Sequence, residues 1–373
     1  MIRRTLLTGV CLLGALSSLP LRAEDDRDDD RDGDRGGRRA VYTMTNDSAA
    51  NSVNVFRRLA GGKLSLAGTF ATGGKGSGGG LGSQGSLVLH ESHSWLLAVN
   101  AGSDDISVFH LSDSGITLSS RTLSGGHMPI SVTISGRIVY VLNANAPSNI
   151  AGFTLEDDGS LTPIPNSIRL LSTASAGPAQ VQFSPDGDQI MVTEKATNLI
   201  DVFPIGPDGI PDAILTTPSH GLTPFGFAFG KRNRVFVSEA FGGAANASAA
   251  SSYNLDDSDM LQLISGSVPT NQTAACWLVV DPSGRFAYTT NTGSRTVSLF
   301  RIGKGGTLTL ISTAGSTPAG GPIDAAFSGG GRFLHVLTAN AATIVTFRVQ
   351  RDGALMLVST TAAPAKAAGL AAE

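Results

Sequence analysis

Seven apolar segments of this chain each end on a polar residue: Asn46, Asn100, Asn143, Glu194, Glu239, Asn291 and Thr338. Asparagine in such a place closes a strand with an Asx turn, a structural task. The two glutamates raise a different question. Carboxylates in consecutive copies, where the other copies are neutral, can raise one another's pKa and so keep a proton for general acid work. Lys195, next to Glu194, can instead neutralise one of them. The histidines that could serve such a pair as proton shuttles are His127 in "GGHMP" and His220 in "SHGLTP". The H-x-x-H of "HESH" (His90, His93) is a metal cue on a helix, but in a turn with no third ligand nearby it reads as surface. No metal site is expected.

What must position these residues is a repeat. Three kinds of segment cycle from Ala40 onward. The first is an alternating strand, as in "VYVLN" and "AYTTN". The second comes about ten residues later and carries an aromatic near its end: Phe56, Phe109, Phe153, Phe203, Tyr253, Phe300, Phe347. Its tail is a turn such as "LEDDGSL", where Asp-Gly closes a hairpin into a third strand. An apolar strand, often opened by proline as in "GPAQVQFSPDG" or "GPIDAAF", then leads to the next copy. Residues 40–373 divided among seven copies give about 48 residues each, the period of a β-propeller blade. The fold expected is all-β, a seven-bladed β-propeller. The first copy lacks a proline-opened strand while the C-terminus has a spare one, so Ala367–Ala372 is expected to supply the inner strand of the N-terminal blade and close the ring. Gly at 46 residues and charged residues at only 15% agree with many tight turns between apolar strands.

In such a ring the start of each inner strand, the end of each second strand and the crossover loops gather at one mouth, the expected place for a ligand. His127 and His220 fall in crossovers there, and these are the two histidines able to meet Glu239. His110 and His335 lie within strands. Two loops stand out. "FGGAANASAASS" lengthens one connection to fourteen residues, from Glu239 to Tyr253, against nine or ten elsewhere, and reads as a flap over the mouth or a tolerated insertion. "GGKGSGGGLGSQG", Gly73 to Gly85, reads as a loose crossover; it lacks the Lys-Ser/Thr ending of a phosphate loop.

Ahead of the repeats, residues 1–23 have the basic, apolar and small-residue regions of a secretory signal peptide. The apolar run is too short for a membrane span. Residues 24–39 hold eight acidic and five basic residues and nothing apolar, a disordered leader. Asp28, Asp30, Asp32 and Gly33 open like a calcium loop, but Arg39 stands where the twelfth-position glutamate belongs. Cleavage would leave Cys276 as the one thiol, so no internal disulfide forms. It would also take the formal charge from −3 to −6 by removing Arg3, Arg4 and Arg22. An acidic exported chain is not a nucleic-acid binder.

With its "VQFSPDG", "VYVLNAN" and "G-x-L" turns, nearly all of residues 40–373 resembles the seven-bladed lactonase family of 6-phosphogluconolactonases and carboxymuconate-lactonizing enzymes. The resemblance implies His or Arg just after the opening residue of several inner strands, cations that hold an anionic substrate or oxyanion, and a Glu ending a neighbouring second strand. The matching positions here are Ala179, Phe225 with Gly226, and Ile323; of that set Glu239 alone is kept. Two readings follow. In the first the chain is a periplasmic or secreted binding module of this family, monomeric and without cofactor. Its partner is then a small polar ligand, met by Gln180, Asp324, His127 and Asn291, or another extracytoplasmic protein. In the second it is an exported hydrolase of an uncharged or cationic lactone or ester, with Glu239 or Glu194 activating water and His220 or His127 shuttling protons. A serine nucleophile elbow is not offered by "GGKGSGGG", which sits in a loop.

Overall fold

The computed structural model describes residues 39–113, 115–256, 258–317, 320–338 and 341–373. The expected signal peptide and the leader up to residue 38 lie outside the described residues. Seven antiparallel sheets follow one another along the chain. Six have four strands; in the third blade the outer strand is split into Leu161–Pro163 and Arg169–Leu170.

The ring closes as the sequence predicts. The C-terminal strand, Ala368–Ala372, pairs antiparallel with Ala40–Met44, so blade 1 takes its inner strand from one end of the chain and its other three from the other. Thr43 Oγ1 donates to Gly369 O at 2.7 Å across this seam.

Position in the blade explains the burial of each strand. The second strands are covered on both faces by neighbouring blades: Gln189–Glu194, Phe286–Asn291 and Phe333–Thr338 are buried at every residue. The outer strands, such as Gly115–Leu123, alternate with solvent. All seven repeating aromatics, Phe56 to Phe347, are at most 2% exposed. They fill the wedges between sheets, each worth roughly 1.5–3 kcal/mol of burial.

One irregularity recurs. In five inner strands the register with the second strand slips just after the opening residue. It passes over Ile130, Ala179, Phe225 with Gly226, Cys276 and Ile323. These are β-bulges, which turn a side chain out of the ladder. In blade 1 the residue passed over is Gly369.

Candidate functional site

The bulges decide what stands at the mouth. A side chain released from the ladder at the start of an inner strand can lean over the axis, and here those side chains are apolar. Ala179, Phe225 and Trp277 form a buried cluster, with Cys276 and Ile323 packed on it. Phe225 and Trp277 meet at 4.9 Å between ring centroids.

The crossover Gly73–Gly85 completes this plug. It is not loose, as its composition suggested. Ser77 N donates to Asn46 Oδ1 at 2.8 Å, and Gly76 lies so close to Asn46 that a Cβ there would stand 2.1 Å from a backbone carbon. Its end reaches across the ring. Gln84, from the start of blade 2, accepts from Leu278 N at 3.0 Å and donates to Leu278 O at 2.8 Å in blade 6. Its own N–H donates to Ala179 O in blade 4 at 3.0 Å. Trp277 Nε1 donates to Ser83 O at 2.9 Å. Gly226 is required where Gln84 crosses, since a Cβ would fall 2.0 Å from Gln84 Oε1 and 2.8 Å from Cys276 O.

Lys195 secures the plug rather than neutralising a glutamate. Its Nζ donates to Gly82 O at 2.5 Å and Pro178 O at 2.8 Å, and stands 4.8 Å over the Phe225 ring. Burial pulls its pKa down to about 8. Burial likewise pushes the neighbouring Cys276 thiol up to about 11, away from thiolate chemistry.

Glu239 is fully buried. Its Oε1 accepts from Gly221 N at 2.9 Å and from Ser251 Oγ; its Oε2 accepts from Ser267 Oγ at 2.7 Å. His220 does not touch it. The ring reaches Ser267 Oγ at 2.9 Å, so one hydroxyl separates the two groups, and Ser267 holds a positive φ of 39° to provide it. Gly266 leaves room for the imidazole: a Cβ would stand 2.5 Å from His220 Nε2.

Glu194 is also fully buried, and its carboxyl partner is not Glu239 but Asp201, in the third strand of its own blade. Ser172 and Thr197 donate to the Glu194 carboxylate. Burial pushes Glu194 up, but the hydrogen bonds from Asp201, Ser172 and Thr197 outweigh it and hold the pKa below the ordinary value. Burial first, then Glu194 itself, push Asp201 up to about 8. The two carboxyls titrate as a coupled pair, with ionisation favoured at Glu194 and disfavoured at Asp201. Asp201 is not among the candidates above, although an acid between Ile200 and Val202 in a repeat of buried strands is a signal. The registers place it level with Ser107, Ser251 and Ser298 of other blades.

The strand-ending asparagines do not close the expected Asx turns: Asn100, Asn143 and Asn291 donate Nδ2 to the third strand of their own blades, and Asn46 donates to Ser77 and Gly79 of the crossover. Asn291, assigned to a ligand above, gives Nδ2 to Thr296 Oγ1 at 3.0 Å and Ser298 Oγ at 2.8 Å. His127 is exposed and pairs with Asp104 at 2.8 Å, away from Glu239. His335 is buried between Ser328 and Thr346, with its pKa pulled by burial to about 3. His110 lies against Trp95. His90 bonds Ser92 and Gly136 O, and His93 stands 3.9 Å from Glu373. Among the described residues no group of three or more His, Cys, Asp or Glu could hold a metal. The long Glu239–Tyr253 connection is held to neighbouring crossovers, Gly242 N by Thr223 Oγ1 and Asn246 N by Thr273 Oγ1, each at 3.0 Å.

Gln180 and Asp324 do come together, below the plug rather than on it. Both line a cavity of about 590 Å³ along the axis. Its lining begins at Gln84, Gln180 and Asp324 and ends at Glu91, Ser184 and Pro185, in the turns of the opposite face. Gln180 uses its amide on the next inner strand, accepting from Phe227 N at 2.7 Å and donating to Phe227 O at 3.0 Å. Burial pushes the Asp324 carboxyl up to about 8.

The family model described as a seven-bladed β-propeller lactonase matches residues 37–174 and 244–369. Solved structures with the same ring include a putative 6-phosphogluconolactonase from Bacteroides uniformis, 18% identical, with a TM-score of 0.72 over 90% of this chain and 99% of that one. Another is a periplasmic gluconolactonase from Pseudomonas aeruginosa, 18% identical, with a TM-score of 0.68 over 88% of this chain and 98% of that one. A putative 6-phosphogluconolactonase from Bacteroides fragilis is 17% identical, with a TM-score of 0.68 over 89% and 97% of the two chains. At this identity the likeness is one of fold. No curated protein matches the chain.

Proposed function

The chain belongs to the seven-bladed β-propeller lactonase family, and we propose that within it the protein is an exported binding module, not a hydrolase. The observation that carries this reading is the apolar plug. Lactone opening needs cations aimed at a developing oxyanion, and the bulged positions that could aim them hold Ala179, Phe225 and Ile323. The nearest cation, Lys195, is bound to two backbone carbonyls. A general base must also reach a water. The Glu239 carboxylate is fully buried and accepts from three protein donors, which makes it a strut of blade 5.

The site for a small polar ligand is the axial cavity, with Gln180, Asp324 and Gln182 in its lining. In the second form of this reading the partner is another extracytoplasmic protein held on the ring's surface; in both the protein acts as a monomer. Among the described residues no helix is long and apolar enough to cross a membrane. The test is a panel of lactones and esters, neutral, anionic and cationic, presented to the wild type and to Glu239→Gln. The expected result is hydrolysis at the buffer rate in both. Turnover by the wild type that Glu239→Gln abolishes would overturn the reading.

A further inference from the structure

The axial cavity has a chemistry of its own. Its lining holds two carboxyl groups, Asp324 and Glu91, and no Lys, Arg or His. Asp324 sits toward the plugged end, only 4% exposed, while Glu91 is exposed in the turn at the open end. Between them the wall is mixed, with Thr133, Ser135, Gln182 and Ser184 standing among apolar residues such as Ile134, Phe229 and Val279. The polar groups near Asp324 are largely engaged: the amides of Gln84 and Gln180 each bond a backbone on another strand. Gln182 accepts from Gln180 at 3.1 Å. Asp324 itself accepts from Ala325 N at 2.8 Å and from Leu370 N. These backbone donors do not offset its burial, and the carboxyl keeps its proton up to about pH 8.

We infer that the channel is a binding site for a small organic ammonium ion, its charge against Asp324 and its apolar stem along the channel wall toward Glu91. This rests on the binding reading above and names the ligand class for the same cavity. An anion would meet two carboxyls and no cation. A bare metal ion would need six or more oxygens at short range, whereas the space of about 590 Å³ is that of a small molecule. From Asp324 to the end of its strand at Ser328 is about 13 Å at the usual rise, enough for a short alkyl chain.

The probe is butyltrimethylammonium, whose charge does not vary with pH, titrated calorimetrically into the full chain, with n-butanol, n-butyrate and calcium chloride as comparators. Saturable binding of the cation is expected, at least tenfold tighter than that of butanol and with none for butyrate. A fixed cation favours ionised Asp324, so affinity should fall about tenfold per pH unit below that group's pKa. Asp324→Asn should lose at least tenfold and flatten the pH profile. Glu91→Gln, at an exposed turn, leaves the fold alone and should weaken binding severalfold. Absence of cation binding by the wild type, equal binding of butanol or butyrate, displacement by calcium, or unchanged affinity in both variants would overturn the inference. The same preparations go through the lactone panel. Failure to bind with no hydrolysis removes the channel assignment and leaves the binding-module reading, whereas Glu239-dependent hydrolysis removes that reading itself.

Discussion

Glu239 and Glu194 stand at equivalent places in consecutive blades and are held in different ways. Three donors converge on Glu239, so Glu239→Gln turns an amide NH2 toward donors and leaves at least one buried partner unsatisfied. A loss of about 1–3 kcal/mol is expected, read from the urea midpoint. Glu194 instead titrates together with Asp201. In the folded state Asp201 titrates at about 8, against about 3.9 in an unfolded chain. Between those values the folded state holds a proton that the unfolded state has released, so stability falls as pH rises through this window. Asp201→Asn keeps a donor for Glu194 and does not titrate. It should therefore match the wild type near pH 4 and exceed it by a few kcal/mol at pH 8, as measured by denaturation at the two pH values. Asp324 contributes a slope of the same sign in both proteins, so the difference isolates Asp201. The glutamates were legible as positions because the repeat set them in register. Their partners were not: Ser267 and Asp201 come from other strands, and the letters do not reveal which strand's hydroxyl or acid will face a given carboxyl.

The inner strands are where this chain departs from what its repeats suggest. Strand order, the proline openings and the buried aromatics all follow from alternation and turn chemistry, which are local. The bulges and the plug are not local. Gln84 and Leu278 are 194 residues apart, and a run of glycines gives no hint that its last residues will span a ring. Composition alone therefore suggested a loose loop where the structure has a clamp. Gln84→Ala should remove two hydrogen bonds across the axis, lower stability by about 1–3 kcal/mol, and speed amide exchange at Leu278. Gly226→Ala should act at the same place by overpacking, since the Cβ meets both the Gln84 side chain and the Cys276 carbonyl. If neither substitution changes Leu278 exchange, the crossover does not hold the top of the channel.

As a whole the molecule is a closed ring whose seam joins the first and last described strands, Ala40–Met44 and Ala368–Ala372. That closure was legible, because a missing strand at one end and a spare one at the other are visible as counts. Truncation after Pro364 should leave blade 1 with an open edge and a gap on the axis. A melting temperature more than 10 °C lower, with aggregation through the exposed strand, is the expected outcome on order-of-magnitude grounds. Function was less legible, since the ring is shared by proteins that do different things at its mouth. Here the mouth is stopped and the cavity faces the other way. Trp277 reports on this most directly, because the chain has only one other tryptophan, Trp95. In a Trp95→Phe protein, fluorescence of Trp277 should be blue-shifted, poorly quenched by acrylamide and indifferent to added lactones. Emission at long wavelength with quenching close to that of free tryptophan would mean an open mouth, and with it the plug would fall.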